Sequence, residues 1–278
     1  MREKQLEIIE QGLQQIADML LLNGTLTECP GLVYGKMGIA VFFFHYARYT
    51  GDELYADYAI DLIGEIQTQI HNTSPADYEK GIAGIGVGMD YLFRNNFLQA
   101  DDDIFDDFDQ RMIRAVLYDP WLNFSLHDGL IGYGRYWMMR LPSVQARKCL
   151  LHIIEQIEDK LTDISDKEQT EIYCFLHDLC HIQDFEMCAG LLMKLKTLSA
   201  DFCRLGDSTA GKVVRMVQQC KYFNNVIQGE IDIVMKHISA LDMGKPLFSI
   251  GLLTGYAGEG MLRLTALNQV NTSWMLLL

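Results

Sequence analysis

Glycine recurs in a fixed pattern along this chain, which carries GKMGIA at residues 35–40, GIAGIG at 81–86, GLIGYG at 129–134 and GYAGEG at 255–260. Each segment reads G-x-x-G with a small residue two positions later. The first three segments start 46 and 48 residues apart, and the last gap of 126 residues equals three periods of 42. The pattern therefore predicts six repeats, of which two, near residues 171 and 213, lack the glycine mark.

Each repeat carries the hydrophobic pattern of two helices. The first helix of the chain is amphipathic, because its apolar residues are spaced three and four apart: Leu6, Ile9, Leu13, Ile16 and Leu20. The next segment, IAVFFF at 39–44, is apolar on every side, as a fully buried helix would be. We therefore predict hairpins in which an outer, amphipathic helix pairs with an inner, buried one.

The same alternation fills the two unmarked repeats. Inner helices are predicted over 167–181 and 208–219, and outer helices over 185–202 and 226–241. The resulting fold class is all-α, an α/α toroid of about six hairpins of roughly 42–48 residues in a single domain over 1–278. An open solenoid is the alternative, but the last inner helix is too apolar for a capping repeat.

The composition excludes several function classes. The 278 residues include 23 basic and 37 acidic side chains, a formal charge of −14, so this acidic protein is not expected to bind nucleic acid. No apolar run is long enough for a transmembrane segment. The chain has seven cysteines, an odd number, and its start lacks the apolar core of a signal peptide, so we expect a reduced, cytoplasmic protein.

The glycines precede the inner helices, where the helix N-termini of a closed ring would crowd together. Missing Cβ atoms would let the backbones approach there. The helix starts would also leave unpaired N–H groups around a central opening, which would suit an anionic ligand. The alternative is that the glycines serve packing alone.

The loops that lead into the inner helices hold the candidate site residues. His127 and Asp128 offer an adjacent imidazole and carboxylate for acid/base catalysis, although Asp128 could instead cap the following helix. Glu259 is the third candidate catalytic residue. Candidate ligand-binding residues occupy matching positions before or within the glycine segments: Tyr34, Lys80, Tyr133 and Thr254.

One cluster of thiols and imidazoles is dense enough to consider for metal binding. Cys174, His177 and His181 fall on one face of a predicted helix and could offer three zinc ligands, or they could be packing residues. His45, among three phenylalanines, is expected to be a core histidine. We expect no cofactor, with zinc as the possible exception.

The four glycine segments and their flanks resemble the repeats of the lanthionine synthetase C-like (LanC-like) family. The resemblance rests on GLVYGKMG from Gly31, GIAGIGVGMDYL from Gly81, SLHDGLIG from Ser125 and GLLTGYAGEG from Gly251. It implies an α/α toroid in which zinc, held by two Cys and one His, activates peptide cysteines that add to dehydrated Ser or Thr. The family's zinc motifs, similar to Trp-Cys-x-Gly and Cys-His-Gly, are not found in this sequence.

The resemblance implies a protein accessory to the modification of a ribosomally synthesised peptide of the lanthipeptide type. It would bind the peptide, or a small ligand, in a central cavity without a zinc centre, with a modification enzyme as a possible partner. Three alternatives stay open: a carbohydrate-active hydrolase, lyase or epimerase on an α/α six-fold barrel, an intact zinc-dependent thioether cyclase, and a pure interaction module.

Overall fold

The computed structural model describes residues 2–71, 73–99, 105–161, 164–195, 208–223 and 249–278, and residues 229, 232 and 238. Within these ranges all regular secondary structure is helical, which confirms the predicted all-α fold class. No helix in the described part of the chain is long and apolar enough to cross a membrane.

The helices follow the predicted alternation. Their bounds are α1 Arg2–Asn23, α2 Lys36–Thr50, α3 Glu53–Gln69, α4 Ile82–Arg94, α5 Asp106–Leu117, α6 Leu130–Met139, α7 Val144–Lys160, α8 Asp166–Leu179, α9 Cys188–Lys194, α10 Thr209–Phe223 and α11 Tyr256–Ala266, with a 3₁₀ helix over Thr272–Leu277. Helices α8 and α10 confirm the two unmarked inner helices. The outer helix expected over 185–202 begins later, at Cys188, and the one expected over 226–241 lies almost wholly outside the described residues.

The chain divides into two compact units. Unit 1 comprises Met1–Ile70 and Cys203–Leu278, and unit 2 comprises His71–Phe202. The single domain over 1–278 therefore stays a prediction, and each unit is described by itself.

Burial separates the inner helices from the outer ones. Every residue of α2 from Lys36 to Ala47 is buried. Outer helix α3 buries a single face instead, made of Ala59, Leu62, Ile63 and Ile66. This contrast confirms the predicted pairing of a buried helix with an amphipathic helix, and it follows from the different width of their apolar faces.

Neighbouring repeats join through the loops before their glycines. In unit 2, the N–H groups of Tyr78 and Glu79 both donate to the carbonyl of His127, at 2.9 and 3.0 Å. In unit 1, Leu252 and Leu253 donate in the same way to Val33, at 2.9 and 3.2 Å. The repeat marked by Gly255 thus contacts the repeat marked by Gly35 in the same way as the repeat marked by Gly81 contacts the one marked by Gly129.

Two of the glycines show why the segment needs them. A Cβ atom at Gly258 would lie 2.2 Å from the carbonyl oxygen of Leu252, so no larger residue fits there without moving the loop backbone. A Cβ atom at Gly134 would lie 2.5 Å from the ring of Phe175, so the absent side chain leaves the space that this ring occupies. At these positions glycine serves close packing, the simpler of the two predicted roles.

Candidate functional site

The first N–H groups of the glycine-led helices are already hydrogen-bonded. At α4, Ile82 donates to the carbonyl of Pro75 (3.0 Å) and Ala83 to that of Ala76 (3.3 Å). The same link, seven residues back along the chain, is made at the starts of α2, α6 and α11 by Lys36, Leu130 and Tyr256. The expectation that the N–H groups at these helix starts are unpaired and available to an anionic ligand is therefore wrong for the first N–H of each helix, because the preceding loop folds over the helix start and accepts it.

His127 and Asp128 have opposite environments although they are adjacent. The His127 side chain is buried, and its backbone N–H donates to the Ser125 hydroxyl at 3.1 Å. The Asp128 side chain is exposed. It is not the N-cap of α6, because that position belongs to Gly129, which makes no side-chain cap. Of the two, Asp128 is the residue that can meet a ligand from solvent.

Carboxylates of unit 2 gather around Tyr133. Burial raises the pKa of the Tyr133 hydroxyl, the negative charge of Asp77 raises it further, and the charges of Asp119 and Asp128 act in the same direction. The Arg111 guanidinium opposes these effects. The phenol is therefore neutral near pH 7 and lies within electrostatic reach of three carboxylates from two loops.

Arg111 ties these two loops together. Its Nε donates to the carbonyl of Ser74 at 3.0 Å, and its Nη1 donates to Asp119 Oδ2 at 3.0 Å. Asp77 shapes its own loop, since its Oδ1 accepts the N–H of Lys80 at 2.7 Å. We refer to this region as the loop cluster, formed by Ser74, Asp77, Arg111, Asp119, Asp128 and Tyr133.

Helix α8 holds the second of these loops in place. Glu168 accepts the N–H of Phe124 at 3.0 Å, and Glu171 accepts the N–H of Leu126 at 2.7 Å. Burial raises the pKa of Glu168, but hydrogen bonds from Ser165 and Phe124 outweigh it and leave the pKa lowered. The ionised carboxylate therefore fixes the loop that carries Asp128.

Apolar side chains project from the same loop. Leu122 is 89% exposed and Tyr118 is 74% exposed. Beside them, the Lys160 ammonium lies 4.4 Å from the centre of the Trp121 ring, which packs against Phe124. The loop thus offers exposed apolar groups on a base fixed by aromatic packing.

The predicted ligand-binding residues are distributed over both units. In unit 2, Lys80 is exposed and its Nζ lies 3.3 Å from Glu79 Oε1, while Tyr133 is half-buried in the loop cluster. In unit 1, Tyr34 and Thr254 are half-buried. The backbone of Tyr34 lies so close to Gly251 that a Cβ there would be 2.4 Å from the Tyr34 Cα, so Tyr34 lies where the first and last repeats meet.

Glu259 belongs to a buried network in unit 1. Its Oε2 accepts from Arg263 Nη1 at 2.9 Å, and its Oε1 accepts the N–H of Ala210, in the first turn of α10, at 3.0 Å. Glu259 and Arg263 are 5% and 3% exposed. One carboxylate oxygen therefore joins α10 to α11 and the other pairs with Arg263 within α11, an arrangement that accounts for this residue without a ligand.

The described donor set does not fit the family's zinc ion. Among the described residues, no group of three or more His, Cys, Asp or Glu is arranged to hold a metal. Cys174 is buried. The rings of His177 and His181, by contrast, reach solvent and contact each other with their planes inclined by 76°. Cys149 and Cys188 are also buried, and burial raises the pKa of each of these thiols to about 12.

Sequence reasoning missed Asp77, Arg111 and Asp119. Asp77 and Asp119 precede their glycine segments by several residues, and Arg111 lies inside an outer helix, so none matches a repeat position. The signal that could have found the two aspartates is an acidic residue in each of the two loops that precede α4 and α6.

The helical repeats and their glycine segments agree with a comparison to known families. None of the curated proteins matches the chain. The model of the lanthionine synthetase C-like family, an α/α barrel family, matches residues 30–181, which is more than half of the chain. The match covers the first three glycine segments and the whole loop cluster. The chain therefore belongs to the lanthionine synthetase C-like family.

Proposed function

We propose that this protein is accessory to the modification of a ribosomally synthesised peptide, binds that peptide at the loop cluster and lacks the family's zinc centre of two cysteines and one histidine. The observation that carries the proposal is the loop cluster itself, within the family-matched region. There, the carboxylates of the loop cluster lie on two loops that are tied to each other and to α8, and the second loop also carries the exposed side chains of Tyr118 and Leu122.

The chemistry of the loop cluster suits an extended peptide. Leu122 and Tyr118 would cover apolar side chains of the peptide, and Asp128, exposed and one residue before α6, would pair with a basic side chain or N-terminus. Because Arg111 and Glu171 hold the loops through the backbone, little ordering entropy would be lost on binding. The net charge of −14 favours a basic peptide over an acidic one.

The arrangement of potential metal ligands among the described residues favours binding without cyclase chemistry. Zinc-assisted thioether formation needs a metal that deprotonates the attacking thiol. Among the described residues, no group of three or more His, Cys, Asp or Glu is arranged to hold such a metal. None of the six described cysteines is in a disulfide, in keeping with the cytoplasmic location that we propose.

Fluorescence anisotropy with labelled lanthipeptide precursor peptides tests the binding proposal. The variants Asp128→Asn and Leu122→Ser should each weaken binding about tenfold, the loss of one good contact. The matched control is Leu54→Ser, because Leu54 is equally exposed, at 72%, but lies on α3 in unit 1. Equal binding by all three variants would contradict a site at the loop cluster.

A second assay addresses the zinc centre. A dehydrated precursor peptide is incubated with the protein and ZnCl₂, and its remaining free thiols are counted by alkylation and mass spectrometry. We expect no protein-dependent loss of thiols. Thioether rings formed at a rate proportional to protein concentration would show an intact cyclase and refute the accessory role.

A further inference from the structure

Two histidine rings contact each other at the C-terminal end of α8, outside the loop cluster. The rings of His177 and His181 have centroids 5.1 Å apart and planes inclined by 76°. His177 lies in the last turn of the helix, and His181 follows just beyond its end. The His181 side chain is exposed and that of His177 is 27% exposed, so solvent reaches both.

This spacing suits a shared metal ion. A metal-to-nitrogen distance of about 2.1 Å, with roughly 1.2 Å from nitrogen to ring centre, places each centroid about 3.3 Å from the metal. For N–metal–N angles between about 90° and 109°, the two centroids would then lie roughly 4.6–5.4 Å apart. The observed separation of 5.1 Å falls in this interval.

Burial decides which nitrogen of His177 a metal ion can reach. Its Nδ1 is buried and lies 3.7 Å from Asp178 Oδ1, too far for a hydrogen bond. Arg135 pairs with the other oxygen of the same carboxylate and anchors it. Because Nδ1 is buried while the side chain as a whole is 27% exposed, Nε2 is the nitrogen that faces a metal ion from solvent.

The neighbouring thiols do not contribute. The Cys180 Sγ is engaged in a hydrogen bond that it donates to the carbonyl of His177 at 3.1 Å. Cys174, which the sequence placed on the same helix face, is 6% exposed. The site therefore differs in composition from the family's zinc centre of two cysteines and one histidine.

We propose that Nε2 of His177 and a ring nitrogen of His181 bind one divalent transition-metal ion of the zinc, nickel or copper class, with water completing the coordination. Imidazole nitrogens select these ions over magnesium or calcium, which prefer oxygen ligands. The site stands independently of the proposed peptide binding.

Isothermal titration with NiCl₂, and separately with ZnCl₂, tests the site. The full chain should bind one ion, and His177→Asn and His181→Asn should each weaken the affinity at least tenfold. The matched control is His152→Asn, because the His152 side chain has a similar exposure of 31% but its neighbour on α7 is Glu155, at 3.9 Å, rather than a histidine. Cys180→Ser should bind like the wild type.

A second readout separates lost ligands from lost folding. Metal should raise the melting temperature of the wild type and of His152→Asn, and leave that of His177→Asn and His181→Asn unchanged. Without metal, all four proteins should have equal helicity. Wild-type affinity in both α8 variants, loss of binding in Cys180→Ser, or absence of binding at millimolar NiCl₂ and ZnCl₂ would each overturn the proposal.

Discussion

Replacing Glu259 by Gln separates its structural role from a catalytic one. The substitution keeps an oxygen that can accept the N–H of Ala210, but it turns an amide or a neutral oxygen towards the Arg263 guanidinium. Because Arg263 is 3% exposed, water cannot replace the lost carboxylate. A buried charge without its partner is among the most destabilising of single changes.

The magnitude follows from burial. Removing one partner of a buried ion pair costs about 3–5 kcal/mol of unfolding free energy. Asp90→Asn is the matched control: Asp90 and Arg94 have the same spacing of four residues and a similar N–O distance of 2.8 Å, but Arg94 is 66% exposed. The control should lose less than about 1 kcal/mol.

Urea unfolding followed by circular dichroism measures both variants. The double variant Glu259→Gln with Arg263→Met should recover most of the loss, because it removes the unpaired charge rather than restoring a contact. A Glu259→Gln protein within about 1 kcal/mol of the wild type would refute the reasoning. If that stable protein had also lost its peptide binding, Glu259 would return as a functional residue.

Three further predictions concern packing, pH and capping. Gly258→Ala should lower stability by about 1–3 kcal/mol or more in urea unfolding, because its Cβ would lie 2.2 Å from the carbonyl oxygen of Leu252. Burial, and secondarily the charge of Arg48, lowers the pKa of His45 to about 3, so the unfolded chain takes up a proton below pH 6.5 that the folded protein refuses. As the pH is lowered from about 6.5 to 3, His45 should therefore reduce the free energy of unfolding by about 1.4 kcal/mol per pH unit, and it should have no effect above that range. The variant His45→Gln should lack this pH dependence. Ser165→Ala should cost about 1 kcal/mol and loosen the start of α8, measured by amide hydrogen exchange, because Ser165 caps that helix.

Each of these predictions has its own contrary result. Gly64→Ala is the control for the packing variant, because no atom lies within 4 Å of a Cβ there and the change should stabilise α3 by about 0.5–1 kcal/mol. Equal effects of the two glycine substitutions would contradict the packing argument. If the free energy of unfolding of His45→Gln falls with decreasing pH as steeply as that of the wild type, carboxylates alone cause the pH dependence. If amide hydrogen exchange at the start of α8 is unchanged in Ser165→Ala, the cap is dispensable.

The order of helices was predictable from the sequence because it depends on local patterns. The spacing of Leu6 to Leu20 specifies an amphipathic helix, and the apolar run at 39–44 specifies a buried one. Even α8 and α10, which lack the glycine mark, follow from the period of the repeat. His45, predicted to be a core histidine, is 5% exposed among the apolar residues of α2.

The partners of polar groups were not predictable in the same way. The sequence places Glu259 after a glycine, where it could face a ligand, and four residues before Arg263 on the same helix, but only the folded chain brings the start of α10 against it and buries the pair. The N–H groups at the starts of the inner helices depend equally on where the preceding loop returns. Asp77 and Asp119 gain their significance from Arg111, which joins two loops that are far apart in sequence.

The repeat, the helical class and the family resemblance thus follow from the amino-acid order, because periodic hydrophobicity and glycine spacing act over a few residues at a time. Which charges are buried, which backbone groups are satisfied and which side chains meet solvent follow from packing between segments that lie tens to hundreds of residues apart. His177 and His181 belong to both levels: their spacing of four was visible in the sequence, but the 5.1 Å ring separation and the burial of His177 Nδ1 come from the folded chain.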